Sequence, residues 1–391
     1  MNSSLEAAPI AIAIVGAGPG GLTCARVLQN HGIAVTVYDL DATADARPAG
    51  GSLDMHADSG QVALAAAGLL DAFRALSRPE GQQVRVLGRD AGVLLDMVPD
   101  TAPEDGAPEI DRGQLRTLLL DSLAAGTVRW AHRVTDIEPL GGGAHRLHFA
   151  GGTSADHTLV IGADGAWSRV RGLLGGAVPE YTGVTFVEAH LDDADRRHPH
   201  AAALTGHGMM MALHANRGLI AQRNSGGHIR VYIALRTELD WYETAGIDLA
   251  DTERVRAALL AEFTGWSPSL LTLITDNDGP FVNRPLHALP VPHTWPHTPG
   301  LTLLGDAAHL MSPFSGMGAN LAMLDGADLA QAIAAHAGDP SADHLDAAVL
   351  AYENATLPRS VEAAAGAGEA IASAIAPDAP VGLLAHFASR H

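Results

Sequence analysis

The chain has 391 residues, a formal net charge of −20 and no lysine, so its 24 cationic side chains are all arginine. A surface this anionic repels nucleic acid and anionic membranes, and an anionic ligand must be met by arginine, backbone amides or helix N-termini. The length suits two joined domains, the single cysteine Cys24 excludes an intrachain disulfide, and no apolar run reaches the length of a membrane span.

Residues 1–8 read as a loose tail. No basic region precedes the first apolar run, which argues against a signal peptide and for a cytoplasmic location. Ile10–Val15 reads as a buried strand, Gly20–Asn30 as a helix stopped by Gly32, and Ile33–Asp39 as the next strand, together a βαβ unit. Cys24 falls in that helix as a small buried apolar residue. Residues 40–58 hold Gly, Pro and Asp without periodicity and read as a loop. Helices are expected at Ser59–Gly68 and Leu69–Leu76, then a hairpin over Gln83–Met97 turning at Gly88–Gly92. Asp111–Ala124 has amphipathic spacing, with Asp111 placed as its N-cap. Two short strands and the buried strand Thr158–Gly162 follow. From Glu180 to Ala288 alternating stretches at Gly208–His214, Gly218–Gln222 and Ile229–Arg236 predict an antiparallel sheet, interrupted by a helix at Thr252–Phe263. Leu301–Gly305 returns to the first domain, Gly318–Ala335 is a long helix, and residues 343–376 form an Ala-rich one. The predicted division is 9–179 and 291–340 for one nucleotide-binding domain, 180–290 for an inserted sheet domain and 341–391 for a helical end.

Chemistry concentrates in four segments. Gly16, Gly18 and Gly21 have the spacing of a dinucleotide turn: the first for tightness, the second for approach of a pyrophosphate, the third for helix–strand packing. Asp39 ends the second strand, where a carboxylate can bond ribose hydroxyls. Arg112 and Arg116 lie one turn apart and could reach one anion, although the same spacing describes an ordinary solvated face. Asp164 follows a buried strand; it could orient an arginine, touch cofactor phosphates or simply form an Asp-Gly turn. Gly305-Asp306-Ala307-Ala308-His309 is followed by the glycine-rich Pro313–Asn320. There Asp306 can accept from a ribityl hydroxyl. Pro313, Gly316, Gly318, Ala319 and Asn320 would present a helix N-terminus to the N1/O2 edge of a reduced flavin. Two such distant segments suited to one long cofactor point to FAD rather than NAD. Twenty histidines invite a metal, but no metal-binding spacing is present, and no Gly-x-Ser-x-Gly elbow suggests a hydrolase.

These motifs, in this order and spacing, resemble the single-component FAD-dependent monooxygenases of the aromatic-hydroxylase type, and among them the tetracycline-inactivating enzymes. The likeness includes Gly50–His56, Ser59-Gly60-Gln61, Pro108–Arg112 and Gly305–Pro313, and runs from about residue 10 to about residue 375. It implies a Rossmann-like FAD domain, an inserted β-sheet domain roofing the flavin and a C-terminal bridging helix. It also implies NAD(P)H as a transient reductant, O₂ as oxidant and a flavin C4a-hydroperoxide that delivers one oxygen atom, with no catalytic side chain required. The substrate wall would be Glu188, Met209, Met211, Arg230 and Tyr232, with the Asp45–Asp54 loop, and with Phe314 and Met317 opposite. Two departures separate the chain from the tetracycline enzymes. Leu40 stands where they carry arginine. Glu188, Met209 and Arg230 fall where they use glutamine, arginine and histidine. The expected substrate is therefore a bulky aromatic or polyketide-like molecule, and the expected assembly a monomer or weak homodimer. Epoxidation, Baeyer–Villiger oxidation and non-catalytic drug sequestration are the alternatives; a halogenase lacks its Trp-x-Trp-x-Ile-Pro stretch here.

Overall fold

A computed structural model describes residues 11–46, 50–98, 106–336 and 342–388. The expected tail at 1–8 and positions 47–49 of the Asp45–Asp54 loop lie outside them.

Ile12–Val15 is buried along its whole length and pairs in parallel with Val35–Tyr38 on one side and Leu159–Gly162 on the other. Leu301–Leu303 and Val128–Arg129 close the two edges of this five-stranded parallel sheet. The central strands Ile12–Val15 and Leu159–Gly162, buried on both faces, are continuously apolar and stand out without alternation. The helix Pro19–Asn30 and the long helix Met317–Ala335 pack against each other beside this sheet. Their axes can approach because both carry glycine at the crossing: a Cβ on Gly326 would lie 2.3 Å from the Gly20 carbonyl oxygen, and one on Gly20 2.5 Å from that of Ala322. Cys24 sits in this contact, fully buried, and burial raises its thiol pKa to about 12, so it is an inert packing residue.

The second sheet has seven strands in the order Val282–Ala288, Glu180–Leu191, Ile229–Arg236, Arg217–Arg223, Met209–His214, Val84–Leu87 and Val93–Met97. Here the sequence expectation needs correction. The Gln83–Met97 hairpin, assigned to the first domain, extends this sheet by pairing Val84–Leu87 in parallel with Met209–Ala212. A hairpin signal fixes a local turn and says nothing about which strand its outer edge meets. Two further corrections are local. Ser52–Asp54, inside the supposed loop 40–58, pairs antiparallel with Glu109–Asp111. The region before Leu159 holds four strands, three of them the antiparallel ribbon Val134–Gly141, Ala144–Phe149 and Ser154–His157.

The C-terminal helix Ala342–Ala374 spans both sheets. Tyr352 donates to the Leu303 carbonyl of the parallel sheet, while Ile371 and Ile375 pack on the face of the large one and Arg236 donates to the Ile375 carbonyl. The fold is thus mixed α/β with the expected inserted sheet and bridging helix. Among the described residues no helix is long and apolar enough to cross a membrane. Replacing Gly326 with alanine forces the two core helices apart and should cost about 1–3 kcal/mol, as overpacking does; an unchanged urea midpoint would show that the helices do not meet there.

Candidate functional site

The glycine turn grows out of Ile12–Val15. Gly16 has φ +112°, and a Cβ there would lie 2.2 Å from the Ala163 carbonyl oxygen. Gly21 would meet the Gly16 carbonyl oxygen at 2.3 Å, whereas a Cβ on Gly18 would meet nothing within 4 Å. The three glycines therefore divide as the spacing implies: two hold backbone against backbone and one faces open space. Pro19 follows at the start of the helix, whose N-terminus bears partial positive charge. Asp39, almost fully buried, accepts from the amides of Ala17 (2.7 Å) and Asp41 (2.8 Å), so it fastens the glycine turn to the end of the second strand.

Two expectations at Asp111–Arg116 fail. Asp111 makes no side-chain cap. Its carboxylate turns to Arg78 (2.9 Å), Asn224 (3.2 Å) and the amide and hydroxyl of Ser225. Arg116 does not join Arg112 on an anion: it donates to the Ala44 carbonyl, lies 3.6 Å from Asp41 and stacks 5.2 Å over Trp130. Tertiary partners outbid the local pattern because they desolvate these groups together. Arg112 is exposed, its stem lies beneath Gly50 and its amide donates to the Gly51 carbonyl (2.9 Å), while among the described residues its guanidinium has no hydrogen-bond or ion-pair partner.

Asp164 accepts the Arg169 amide at 2.8 Å through one oxygen, while its other oxygen is buried with no hydrogen-bond partner among the described residues. Burial raises its carboxyl pKa. The arginine that organises this corner is Arg171, which sequence reading left without a role. It is 3 % exposed and donates to the carbonyls of Ala166 (2.5 Å), Ala177 (2.9 Å) and Ala307 (3.0 Å). Burial lowers its pKa, and the carboxylates of Asp164 and Asp306 oppose that shift. Arg171 thereby ties the Asp164 turn to the Asp306 turn. Asp306 itself is exposed at the start of the short helix Asp306–His309, and no other described residue pairs with its carboxylate.

Beyond it, Pro313–Ser315 forms one 3₁₀ turn and Gly316 (φ +68°) opens the helix Met317–Ala335. Gly318, in its first turn, faces open space, with Ala319 beside it. The side chain of Asn320, the last residue of the expected cofactor segment, is engaged within the protein. Its oxygen accepts from the amides of His56 (2.9 Å) and Gly60 (3.2 Å); its nitrogen donates to the carbonyls of Asp54 (2.8 Å) and Gly316 (3.2 Å). That is the full capacity of an amide, so Asn320 is a bolt between the Ser52–Asp54 strand and the helix. Met317, half-buried, packs with Met311, Leu321 and Leu324 against the C-terminal helix.

Met209, Met211, Tyr232 and Phe314 come together on one face of the large sheet, with Phe186 between Tyr232 (5.3 Å) and Phe314 (5.6 Å). Phe186 was missed, although its alternation with Val184 and Glu188 places all three on one face. Glu188 pairs with Arg230 at 3.2 Å and also lies 3.5 Å from Arg284, a second arginine not anticipated. The strand Ser52–Asp54 is held close to this face: a Cβ on Gly51 would lie 2.3 Å from the Tyr232 hydroxyl. Behind it lies a buried network also missed. Ser52 hydrogen-bonds Glu109, Arg78 donates to the Ser52 hydroxyl at 3.0 Å, and Gln222 approaches Glu109 at 3.5 Å. Burial raises the Glu109 carboxyl pKa to about 7, against the lowering effect of its bond with Ser52. Several histidines, among them His198, His297 and His309, pair with carboxylates, and among the described residues no group of three or more His, Cys, Asp and Glu is placed to hold a metal ion.

A model of the FAD-binding-domain family matches residues 9–363, and the chain belongs to that family. It is 31% identical to the monooxygenase asqM of Emericella nidulans over 90% of this chain and 92% of that one. It is also 31% identical to the 3-amino-4-hydroxybenzoate 2-monooxygenase PtnB3 of Streptomyces platensis, over 89% of this chain and 84% of that one. The crystal structure of the tetracycline destructase Tet(55) superposes with a TM-score of 0.73, at 19% identity, over 97% of this chain and 94% of that one. The chain is an FAD-dependent monooxygenase of the aromatic-hydroxylase type. Open space at Gly18, a helix N-terminus beside it and an unpaired carboxylate at Asp306 fit that cofactor.

Two outcomes follow. Gly18→Ala should leave the melting temperature of the FAD-free protein unchanged yet weaken FAD binding, while Gly16→Ala should destabilise the fold itself; equal FAD affinity for Gly18→Ala and wild type would contradict the first. The Glu109 carboxyl ionises near 4.5 when unfolded and about 7 when folded. Between those values the unfolded chain binds fewer protons, so this group makes stability fall as pH rises. Urea denaturation across the window should show that slope flattened in Glu109→Gln; an identical slope in both proteins would remove Glu109 as its source.

Proposed function

We propose that the protein uses NAD(P)H and O₂ to insert one oxygen atom into a flat aromatic or polyketide-like small molecule held against the large sheet. The observation that carries this reading is the composition of that face. Phe186, Tyr232, Phe314, Met209 and Met211 form a flat apolar wall, and Glu188, Arg230 and Arg284 stand at its polar end. Aromatic rings and thioethers suit the faces of a planar ring system. Two arginines to one carboxylate suit an edge bearing an acidic hydroxyl or carboxylate. The 3-amino-4-hydroxybenzoate named for the Streptomyces platensis relative is a molecule of that kind.

FAD, when bound, supplies the activation of dioxygen and the transfer of one oxygen atom. The chain's own residues bind, orient and exclude water. The amides at Gly18 and the N-terminus of the Pro19–Asn30 helix would meet the diphosphate, and Asp39 is the carboxylate at the ribose end. Arg112 is the cation open to an anionic group beside Gly50. Asp306 would accept from the ribityl chain, held there by Arg171. The amide end of the Met317–Ala335 helix, at Gly316, Gly318 and Ala319, would place partial positive charge beside the ring. The apolar wall keeps water from the reacting atoms.

The test measures NADH and NADPH oxidation with a panel of aromatic acids, phenols and polyketides, and follows products by mass spectrometry. The expected result is ligand-stimulated oxidation with a product heavier by one oxygen atom. Binding without stimulated oxidation or product would refute the enzymatic reading in favour of sequestration. With an anionic substrate, Arg230→Met should raise KM by about tenfold or more, as removing a matched polar partner does; an unchanged KM would detach Arg230 from the substrate.

A further inference from the structure

Beneath the Asp306 turn lies a buried ionic cluster that the cofactor assignment does not use. Asp325, in the long core helix, is fully buried. One of its oxygens accepts from the Gly305 amide (3.1 Å) and pairs with His309 Nε2 (2.6 Å); the other accepts from Arg359 Nη2 (2.9 Å). Arg359 reaches in from the C-terminal helix and also pairs with Asp328 at 2.9 Å. Burial works against charge on Asp325 and His309. Their mutual attraction, with Arg359, prevails, so the aspartate pKa is lowered and the histidine pKa raised.

The place of these contacts matters more than their strength. Gly305 and His309 bracket Asp306, so one carboxylate grips both ends of the short segment that carries it. Gly305 has φ 60° and ψ −143°, a turn that glycine adopts without strain and a side chain would not. The same C-terminal helix holds the strand leading into the turn: Glu353 accepts from Thr302 (2.8 Å) and Trp295 (3.0 Å), and Tyr352 donates to Leu303. The helix therefore contacts the returning chain at 302 and 303 directly, and at 305 and 309 through Asp325.

We infer that Asp325, His309 and Arg359 are positioning residues through which the C-terminal helix sets Asp306 for FAD. The inference rests on the reading of Asp306 as a cofactor-holding carboxylate. A cluster with a merely structural role would lower stability equally with or without the Asp306 carboxylate; a positioning cluster acts through it.

The test is a double-mutant cycle on the full-length protein, freed of FAD and titrated with FAD by quenching of flavin fluorescence, with melting temperatures of the FAD-free proteins alongside. Arg359→Met should weaken FAD binding by on the order of tenfold, the low end of losses seen when an outer partner of a ligand-holding residue is removed at metal sites. Arg359→Lys should lose less. In the Asp306→Ala background, Arg359→Met should add little. Wild-type affinity in Arg359→Met, or the same fold-loss in both backgrounds, overturns the inference. If Arg359→Met does not fold, Arg359→Lys completes the same cycle with the same criteria. Wild-type affinity in Asp306→Ala alone would instead overturn the assignment of Asp306, and this inference with it.

Discussion

The structure depends on one close contact between backbones. Gly20 and Gly326 let the helix after the glycine turn and the long core helix touch with no side chain between them. That contact places the start of one helix, Gly16–Gly21, beside the chain that leads into the other, Gly305–Asn320. Dispersion between tightly packed helices is strong, and any Cβ at the crossing would separate them. Both glycine-rich segments are thereby referred to one rigid pair of helices.

Polar bolts then carry that placement outward. Asn320 fastens the core helix to residues Asp54, His56 and Gly60 through three backbone groups, and bonds the helix's own N-cap at Gly316 with the fourth. Behind that strand, Ser52, Glu109, Arg78 and Gln222 join it to the large sheet. Arg171 joins the Asp164 and Asp306 turns from the other side. Ser52, Glu109, Arg171 and Asn320 are buried and bonded, so loosening one leaves its partners desolvated and unsatisfied.

Much of this was legible in the residues. The roles of Gly16, Gly18 and Gly21 follow from local sterics, and the structure gives each the environment its spacing implies. Met209, Met211, Arg230, Tyr232 and Glu188 share one face because strand periodicity puts them there. The side-chain partners of Asn320, Asp111, Arg116 and Met317 were not legible, for one reason. Each has a side chain whose partner comes from a distant part of the sequence, and a local pattern holds no information about that partner. The Gln83–Met97 hairpin was found but given to the wrong sheet on the same ground.

By itself, then, the sequence determined what depends on neighbours along the chain: the glycine turns, the helix starts, the strand faces and hence the class of cofactor. Only the tertiary structure decided which polar groups remain open to a ligand. Asp306 and Arg112 are open, while Asn320, Asp111 and Arg116 are spent on the fold. The physical reason is that a buried polar group must find a partner wherever packing brings one, and packing is settled by the whole chain at once.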